Sequence, residues 1–457
     1  MGLITLKQAA QWCGGHVEEK YENVTFFGAG NDTRTLQPGQ LFVALKGARD
    51  GNDYAPAAME KGAAAVLCSR TVGDYPAIVV EDTRLALGEI ARQERQRLGV
   101  KVVGVTGSVG KSTTKEMIAT VLESTYRTGK TPVNHNNDIG MPMAILGMPE
   151  DTEVAVLEMG MNHFREMAYL SRIARPDVAV IVNIGTAHIE FLGSIEGICK
   201  AKLEILEGMP EDGRLLLNGD DVMLRNLKQS PVQSVSYFGS DEGCSVRCSR
   251  ITQEPDLRFW VDSGSPSFEV RLNLEGRHFV SDAMAAIAVG LELGVTPDRI
   301  SRQLANFRNM AGRQELLQTE HYTIIRDCYN AGPESMEAAL NVLGSKEGRR
   351  IAVLGDMLEL GDCASAEHYR VGRAAAEKAD LVFAYGPNSE SVIDGCNTGG
   401  MEPGKARAFL DRDMLTEALL RALKPGDVLL FKGSRGMHME LALDAVLKKE
   451  KETNGGN

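Results

Sequence analysis

The sequence predicts an α/β protein of three domains: a small α/β N-terminal domain over residues 1–98, a central P-loop domain on a parallel sheet over 99–309, and a C-terminal Rossmann-like α/β domain over 310–457. Three observations lead there. Short apolar runs without alternation recur between helical segments, the pattern of parallel strands covered on both faces. One such run leads into a glycine-rich loop and then a helix. The same βα rhythm restarts near Met310, after a stretch of different character at 235–275.

In the first domain, helical spacing at 4–13 precedes a strand at 41–45, a helix at 54–61, strands at 63–68 and 77–80, and a charged helix at 83–98. The central domain reads as strands at 102–105, 154–157, 178–182 and 214–217, with a helix at 113–123. Alternation at Val270, Leu272 and Leu274, with a Gly-Ser-Pro turn near Ser265, predicts a short antiparallel excursion; an alanine-rich helix follows at 277–293. The third domain places strands at 322–325, 351–354, 381–384 and 428–432, and helices at 335–343, 368–378 and 437–447. The charged, glycine-rich tail 448–457 is expected to fray.

Composition narrows the function. A chain of 457 residues exceeds one hydrophobic core. The net charge of −12 lacks the basic footprint of a general nucleic-acid binder. No apolar run reaches the roughly 18–20 residues of a membrane span, and the N-terminal residues carry no basic region followed by an apolar one. Eight scattered cysteines, with Cys68 and Cys199 in apolar runs, fit reduced thiols in the cytoplasm. Cys244 and Cys248 have no second Cys/His pair nearby, so no zinc site is read there.

The most informative run is Gly104-Val-Thr-Gly-Ser-Val-Gly-Lys-Ser-Thr113. A strand, a glycine loop and a helix N-terminus turn backbone N–H groups toward a phosphate, where the helix dipole favours negative charge. Thr106, Gly107, Ser108, Gly110 and Thr113 form that cradle, Lys111 reaches the terminal phosphates, and Ser112 offers its hydroxyl to Mg²⁺. The strict pattern asks for Gly where this chain has Val105. Glu158 ends the run 154–157, where ligands of open parallel sheets bind, and is placed to ligate Mg²⁺.

Other groups are read less sharply from the residues. His188 follows the strand at 178–182, on the same edge, but a lone histidine is as often a satisfied core or surface residue. Lys200 and Lys202 read first as a solvated helix face. The amide-rich Asn134-His-Asn-Asn-Asp-Ile-Gly140, which follows Thr131-Pro, is turn chemistry or a polar-substrate contact; the residues do not choose. Asp32-Thr-Arg34 before the strand at 41–45, with Lys46 after it, is a surface turn or a diphosphate contact. In the last domain Arg313, Asp327-Cys-Tyr-Asn-Ala-Gly-Pro333, Gly355-Asp-Met-Leu-Glu-Leu-Gly361 and Lys432-Gly-Ser-Arg435 gather polar groups at strand ends and describe one functional edge.

Over nearly its whole length the chain resembles the Mur ligase family. The T-G-S-x-G-K-S loop, Asn134 to Gly140, Glu158, His188 and Ala-Lys202-Leu-Glu match that family's central domain. Asp-Cys-Tyr-Asn-Ala, Gly-Asp-Met-Leu-Glu-Leu-Gly, Lys-Gly-Ser-Arg and the N-terminal Asp-Thr-Arg…Leu-Phe-Val-Ala-Leu-Lys-Gly resemble its D-alanyl-D-alanine-adding branch. The resemblance implies an ATP-dependent amide ligase that joins D-alanyl-D-alanine to UDP-N-acetylmuramoyl-tripeptide through an acyl phosphate, in peptidoglycan precursor synthesis, as a cytoplasmic monomer. It implies two Mg²⁺ ions, one on Ser112 and Glu158 and one organised by Glu158, His188 and a carbamylated Lys202. It also implies nucleotide and phosphate contacts from Arg313, Asp327 and Asn330. UDP-substrate contacts are implied for Thr33, Arg34 and Lys46, further substrate contacts for Thr131, Asn134, Asn136 and Asn137, and dipeptide contacts for Lys432, Ser434 and Arg435.

The chain departs from the family pattern in places. Arg277-His-Phe-Val-Ser-Asp282 stands where the family has Arg-His-Asn-x-x-Asn, so Phe279 is expected to stack on adenine and Asp282 to accept from its amino group. Gly332 replaces a frequent asparagine, and Asn52 stands where histidine is common. Two other functions were weighed: a sister ligase of the meso-diaminopimelate-adding or folylpolyglutamate type, against which the Gly-Asp-Met-Leu-Glu-Leu-Gly stretch argues, and a catalytically idle P-loop binding module, which has no need of Glu158, His188 and Lys202 together. Because the candidate groups come from all three domains, a closing motion about 309–312 is expected, with Gly312 absorbing the backbone change.

Overall fold

The computed structural model describes residues 2–227, 234–253, 256–264 and 266–454. They fall into two compact units: residues 1–182, 200–247 and 283–303, and residues 183–199, 248–282 and 304–457. Residues 1–98 thus share a unit with the P-loop sheet, while 183–199 and 248–282 of the middle segment pack with the C-terminal part. Among the described residues no helix is long and apolar enough to cross a membrane.

The first unit begins with a five-stranded sheet in the order His16–Val17, Ala77–Val79, Ala65–Cys68, Leu41–Val43, Ala29–Gly30. All its pairs are parallel except the first. The helix Thr83–Leu98 covers the bounds read from sequence, because both of its ends are chemically marked. The Asp82 carboxylate accepts from the N–H groups of Arg84 and Leu85, and Gly99 stops the helix at φ 64°.

A parallel sheet follows, in the order Ser234–Gly239, Arg214–Asn218, Val178–Ile181, Lys101–Thr106, Val154–Glu158, Thr128–Lys130. Its central strands are apolar throughout, and Val102, Val105, Val156 and Val180 are wholly buried. That explains the missing alternation: both faces carry helices. Lys101–Thr106 lies between Val154–Glu158 and Val178–Ile181, so the chain steps across it, and the carboxyl ends of these strands form the expected ligand edge.

The expected antiparallel excursion is present: Leu257–Asp262 and Phe268–Leu272 pair antiparallel, and Ser265, at the expected turn, lies outside the described residues. Ser234–Gly239 pairs parallel with Arg214–Asn218 and, through Phe238 and Gly239, with Val246–Thr252.

The second unit holds a six-stranded sheet in the order Glu315–Gln318, Thr323–Asp327, Val428–Lys432, Arg350–Gly355, Leu381–Tyr385, Ala406–Phe409, parallel except for the first pair. The described part of the tail expected to fray is helical, within the helix Glu440–Asn454. Glu450 is buried and accepts from the His321 N–H at 3.0 Å, which pins the last turns to the sheet's edge.

Candidate active site

Parallel register builds the first part of the site. Glu158, last residue of its strand, lies opposite Val105 on the neighbouring strand, and the chain leaves that strand into the loop 107–110. Gly110 turns the chain into the helix Lys111–Leu122 with φ 83°, a conformation open to glycine at no steric cost. The helix N-terminus therefore faces the edge where Glu158 emerges. Ser112 Oγ donates to Glu158 Oε2 at 2.7 Å, and Asn136 Nδ2 donates to Glu158 Oε1 at 2.9 Å. Lys111 Nζ donates to the carbonyls of Gly107 at 2.9 Å and Ser108 at 3.3 Å. Lys202 Nζ, almost wholly buried, donates to the same Gly107 carbonyl at 3.0 Å. Two lysines far apart in sequence thus converge on one turn of the phosphate loop. Thr106 Oγ1, at the loop's base, is buried and has no hydrogen-bond partner.

This set suits a hard divalent cation. Glu158 is 3% exposed, and among the described residues no lysine, arginine or histidine pairs with it; its two oxygens meet only a neutral hydroxyl and a neutral amide. A buried carboxylate without a countercharge is costly, and oxygen donors from Ser112 and Glu158 are what Mg²⁺ takes.

The amide-rich loop divides. Asn136 holds Glu158, whereas Asn137 Oδ1 accepts from the N–H groups of Ile139 and Gly140 and so caps the next helix. Asn134 is exposed in left-handed backbone at φ 69°. Thr131, expected to contact substrate, is wholly buried, and its N–H, carbonyl and hydroxyl are all engaged by protein, through Val156, Lys115 and Glu158.

In the N-terminal sheet, Asp32 accepts from the backbone N–H and Nε of Arg34. The Arg34 side chain and its N–H hold the Asp32 carboxyl down at about 2. Arg34 has 86% side-chain exposure, Lys46 is exposed and Thr33 half-buried. Asn52 is buried and fully used: it donates to Asp50 at 2.7 Å and to Ser69 Oγ at 2.9 Å, and accepts from the Ser69 N–H. It ties the loop 50–54 to a strand end.

In the second unit, Asp327 and Lys432 end adjacent parallel strands and form a buried ion pair at 2.7 Å. Lys432 also donates to the Asn330 carbonyl at 2.9 Å, and the Gln314 N–H donates to Asp327 Oδ1 at 3.2 Å. The Arg313 guanidinium lies over the Tyr329 ring, 3.9 Å from its centroid. Ser434 is buried, accepts from the Leu358 N–H at 2.9 Å and donates to the Ala331 carbonyl at 3.3 Å, so its hydroxyl joins two loops. Lys432, likewise buried, points its ammonium at Asp327. Arg435 remains exposed, 3.3 Å from Glu440. Phe279 is buried, and its ring lies 4.2 Å, centre to centre, from that of His278. Asp282 is buried on the same helix.

His188 belongs to this second unit. Its Nδ1 lies 2.6 Å from Glu359 Oε2, and both residues take left-handed backbone, at φ 65° and 63°. Such strain in non-glycine residues persists only where surrounding contacts over-determine it. Two residues earlier, the N–H and hydroxyl of Thr186 both donate to Glu334 Oε1 at 3.2 Å. Glu359 and Tyr329 lie within motifs legible in the sequence, which give neither a task; nothing in the sequence singles out Glu334. Lys115 carried a signal: a charge on the face of an amphipathic helix that otherwise reads as core.

The comparisons agree with this architecture. Three sequence-family descriptions match: Mur ligase family, catalytic domain, at residues 25–95; Mur ligase middle domain at 105–290; and Mur ligase, glutamate ligase domain, at 312–435. The chain is 40% identical to the UDP-N-acetylmuramoyl-tripeptide–D-alanyl-D-alanine ligase of Bacillus subtilis, covering 95% of this chain and 96% of the relative. Crystal structure I of MurF from Acinetobacter baumannii superposes with a TM-score of 0.90 at 32% identity, over 98% and 99% of the two chains. MurF ligase from Thermotoga maritima, solved in complex with ADP, gives 0.82 at 30% identity, over 93% and 98%. With all three family descriptions matched in order along the chain and a relative 40% identical over nearly its whole length, the chain belongs to the Mur ligase family.

Proposed function

We propose that this protein is the ATP-dependent ligase that joins D-alanyl-D-alanine to UDP-N-acetylmuramoyl-tripeptide in peptidoglycan precursor synthesis, acting in the cytoplasm as a monomer. The carrying observation is the phosphate-loop site, with Lys111, Ser112 and the uncompensated Glu158 at one sheet edge, in a chain alike over nearly its whole length to a UDP-N-acetylmuramoyl-tripeptide–D-alanyl-D-alanine ligase. Domain limits at 98/99 and 309/310 are part of the proposal.

The reaction follows from the charges. The tripeptide carboxylate attacks the γ-phosphorus of ATP, the bond to the ADP oxygen breaks, and an acyl phosphate forms. The free amine of the dipeptide then attacks the acyl carbon, and inorganic phosphate leaves as the tetrahedral adduct collapses. Both reactants of the first step are anions. Lys111 moves from its own loop carbonyls to the phosphates and neutralises charge as the phosphoryl group transfers. Gly107, Ser108, Gly110 and Thr113 supply the loop and helix-terminal donors. Ser112 and Glu158 would hold Mg²⁺, which would supply charge screening between the two anions. Arg313, Asp327 and Asn330 serve the nucleotide, Arg34, Lys46 and Thr33 the UDP moiety, and Arg435 the dipeptide. A second ion, organised by Glu158, His188 and a carbamylated Lys202, is implied by the family resemblance alone.

The test is acceptor choice. Purified protein with ATP, Mg²⁺ and UDP-tripeptide should release phosphate and form product with D-alanyl-D-alanine, and should fail with D-glutamate, meso-diaminopimelate or L-lysine. Robust ligation of a single amino acid reassigns the chain to a sister enzyme. For Lys202, ¹³C-bicarbonate should give a carbamate signal in the NMR spectrum that the Lys202→Ala variant lacks.

A further inference from the structure

A lysine is the wrong residue for a helix interior unless its ammonium has work there. Lys115 is on the phosphate-loop helix, three residues beyond Ser112, and is wholly buried. Its Nζ donates to the Thr131 carbonyl at 2.7 Å and lies 2.8 Å from Glu116 Oε1. The other Glu116 oxygen is 2.8 Å from Lys130 Nζ. Burial pushes the Glu116 carboxyl up, but hydrogen bonds and charge from Lys115 and Lys130 outweigh it and leave the pKa lowered. The buried ammonium thus has both a countercharge and a carbonyl, as a buried charge requires.

Thr131 passes the restraint on. Its N–H donates to the Val156 carbonyl at 3.1 Å and its hydroxyl accepts from the Glu158 N–H at 2.9 Å. Glu158 is where the strand ends, so its N–H direction sets where the side chain leaves the backbone. The phosphate-loop helix therefore grips Glu158 twice. One grip runs from Ser112 Oγ to the carboxylate; the other runs from Lys115 through Thr131 to the backbone.

We infer that Lys115 and Thr131 are positioning residues that hold the Glu158 carboxylate at the angle a divalent cation needs. The inference rests on the reading of Glu158 as a metal ligand. A leucine or methionine fills the same core volume without the cost of a buried charge. What the lysine adds is a fixed link between the helix that carries Ser112 and the strand that carries Glu158.

The test uses the full chain with Mn²⁺ and a nonhydrolysable ATP analogue, read by electron paramagnetic resonance, beside the Mg²⁺ dependence of turnover and the thermal midpoint. Supporting groups around metal ligands typically control affinity by about ten- to a hundredfold. Thr131→Val keeps the shape and removes the acceptor; it should weaken Mn²⁺ binding about tenfold and raise the half-saturating Mg²⁺ alike, while Thr131→Ser stays within about twofold of the parent. Lys115→Met should shift both in the same direction with the KM for dipeptide unchanged. If Lys115→Met fails to fold, the Thr131 pair carries the test. A lowered thermal midpoint with unaltered metal binding in Thr131→Val overturns the inference and leaves a packing role. Glu158→Gln is the control. Unchanged Mn²⁺ binding there overturns both the ligand reading and this inference, whereas loss in Glu158→Gln without loss in Thr131→Val overturns the inference alone.

Discussion

Two strand ends, one in each unit, treat a carboxylate in opposite ways. In the first unit, Glu158 is buried between a hydroxyl and an amide, with no ion pair among the described residues. In the second, Asp327 is matched by Lys432. A charge set against neutral dipoles gains strongly from a charged ligand, because no ion pair has to break first. A charge already matched inside the protein gains little, and its removal is felt as lost structure. Substitutions at the phosphate-loop end should therefore spare the fold and damage turnover, whereas those at the Asp327 end should damage stability as well.

The sharpest break of that contrast is Lys111→Ala. Electrostatic contacts of this kind contribute roughly 3–4 kcal/mol to a transition state, so turnover should fall by at least about a hundredfold, with an unchanged thermal midpoint. Near-normal turnover removes Lys111 from the proposed role. Lys432→Met tests the other side. Breaking a buried pair costs about 3–5 kcal/mol, because the remaining carboxylate stays buried without its partner. Urea unfolding should show that loss, and Asp327→Asn combined with Lys432→Met should recover part of it. A stable Lys432→Met with a raised KM for ligand returns Lys432 to the substrate-contact role the sequence had implied.

Glu359→Gln should fall between these. The His188 ring is held through Nδ1, and a carboxylate there fixes which ring nitrogen carries the proton. An amide keeps the contact but not the charge, so turnover should drop about tenfold, the lower end of what such supporting groups control. No change in turnover makes the pair purely structural.

The molecule was unevenly legible from its sequence. Parallel strands such as Lys101–Thr106 and Val428–Lys432 are apolar on both faces, and their runs stand out. His16–Val17 and Ala29–Gly30 are two residues long and carry no period at all. Ser112 and Glu158 were legible because each lies at a strand end or loop defined by local pattern. Lys115 and Glu359 were not, because their tasks are contacts with Thr131 and His188, 16 and 171 residues away. Burial is the other thing local pattern does not show: Thr131, Phe279 and Ser434 stand in ligand-like motifs, and all three are buried.

The smallest effect concerns the C-terminal helix, where composition pointed to a frayed tail and packing overrode it. Glu450 accepts from the backbone N–H of His321 at 3.0 Å and lies 3.1 Å from its Nδ1. Burial pushes the Glu450 carboxyl up, but hydrogen bonds from His321 and Thr319 outweigh it, so its pKa sits below the ordinary 4.5. A carboxyl lowered in the folded state stabilises fully above its unfolded pKa and loses that contribution as pH falls through the folded one. Glu450→Gln should therefore cost about 1 kcal/mol at neutral pH, the size of one hydrogen bond to a buried group. The gap to the parent should persist down to the ordinary carboxyl range and narrow only below it. Urea midpoints at neutral pH and in acid measure both quantities. A variant equal to the parent at neutral pH means that the Glu450–His321 contact contributes nothing and that the last turns of Glu440–Asn454 hold on by apolar contacts alone.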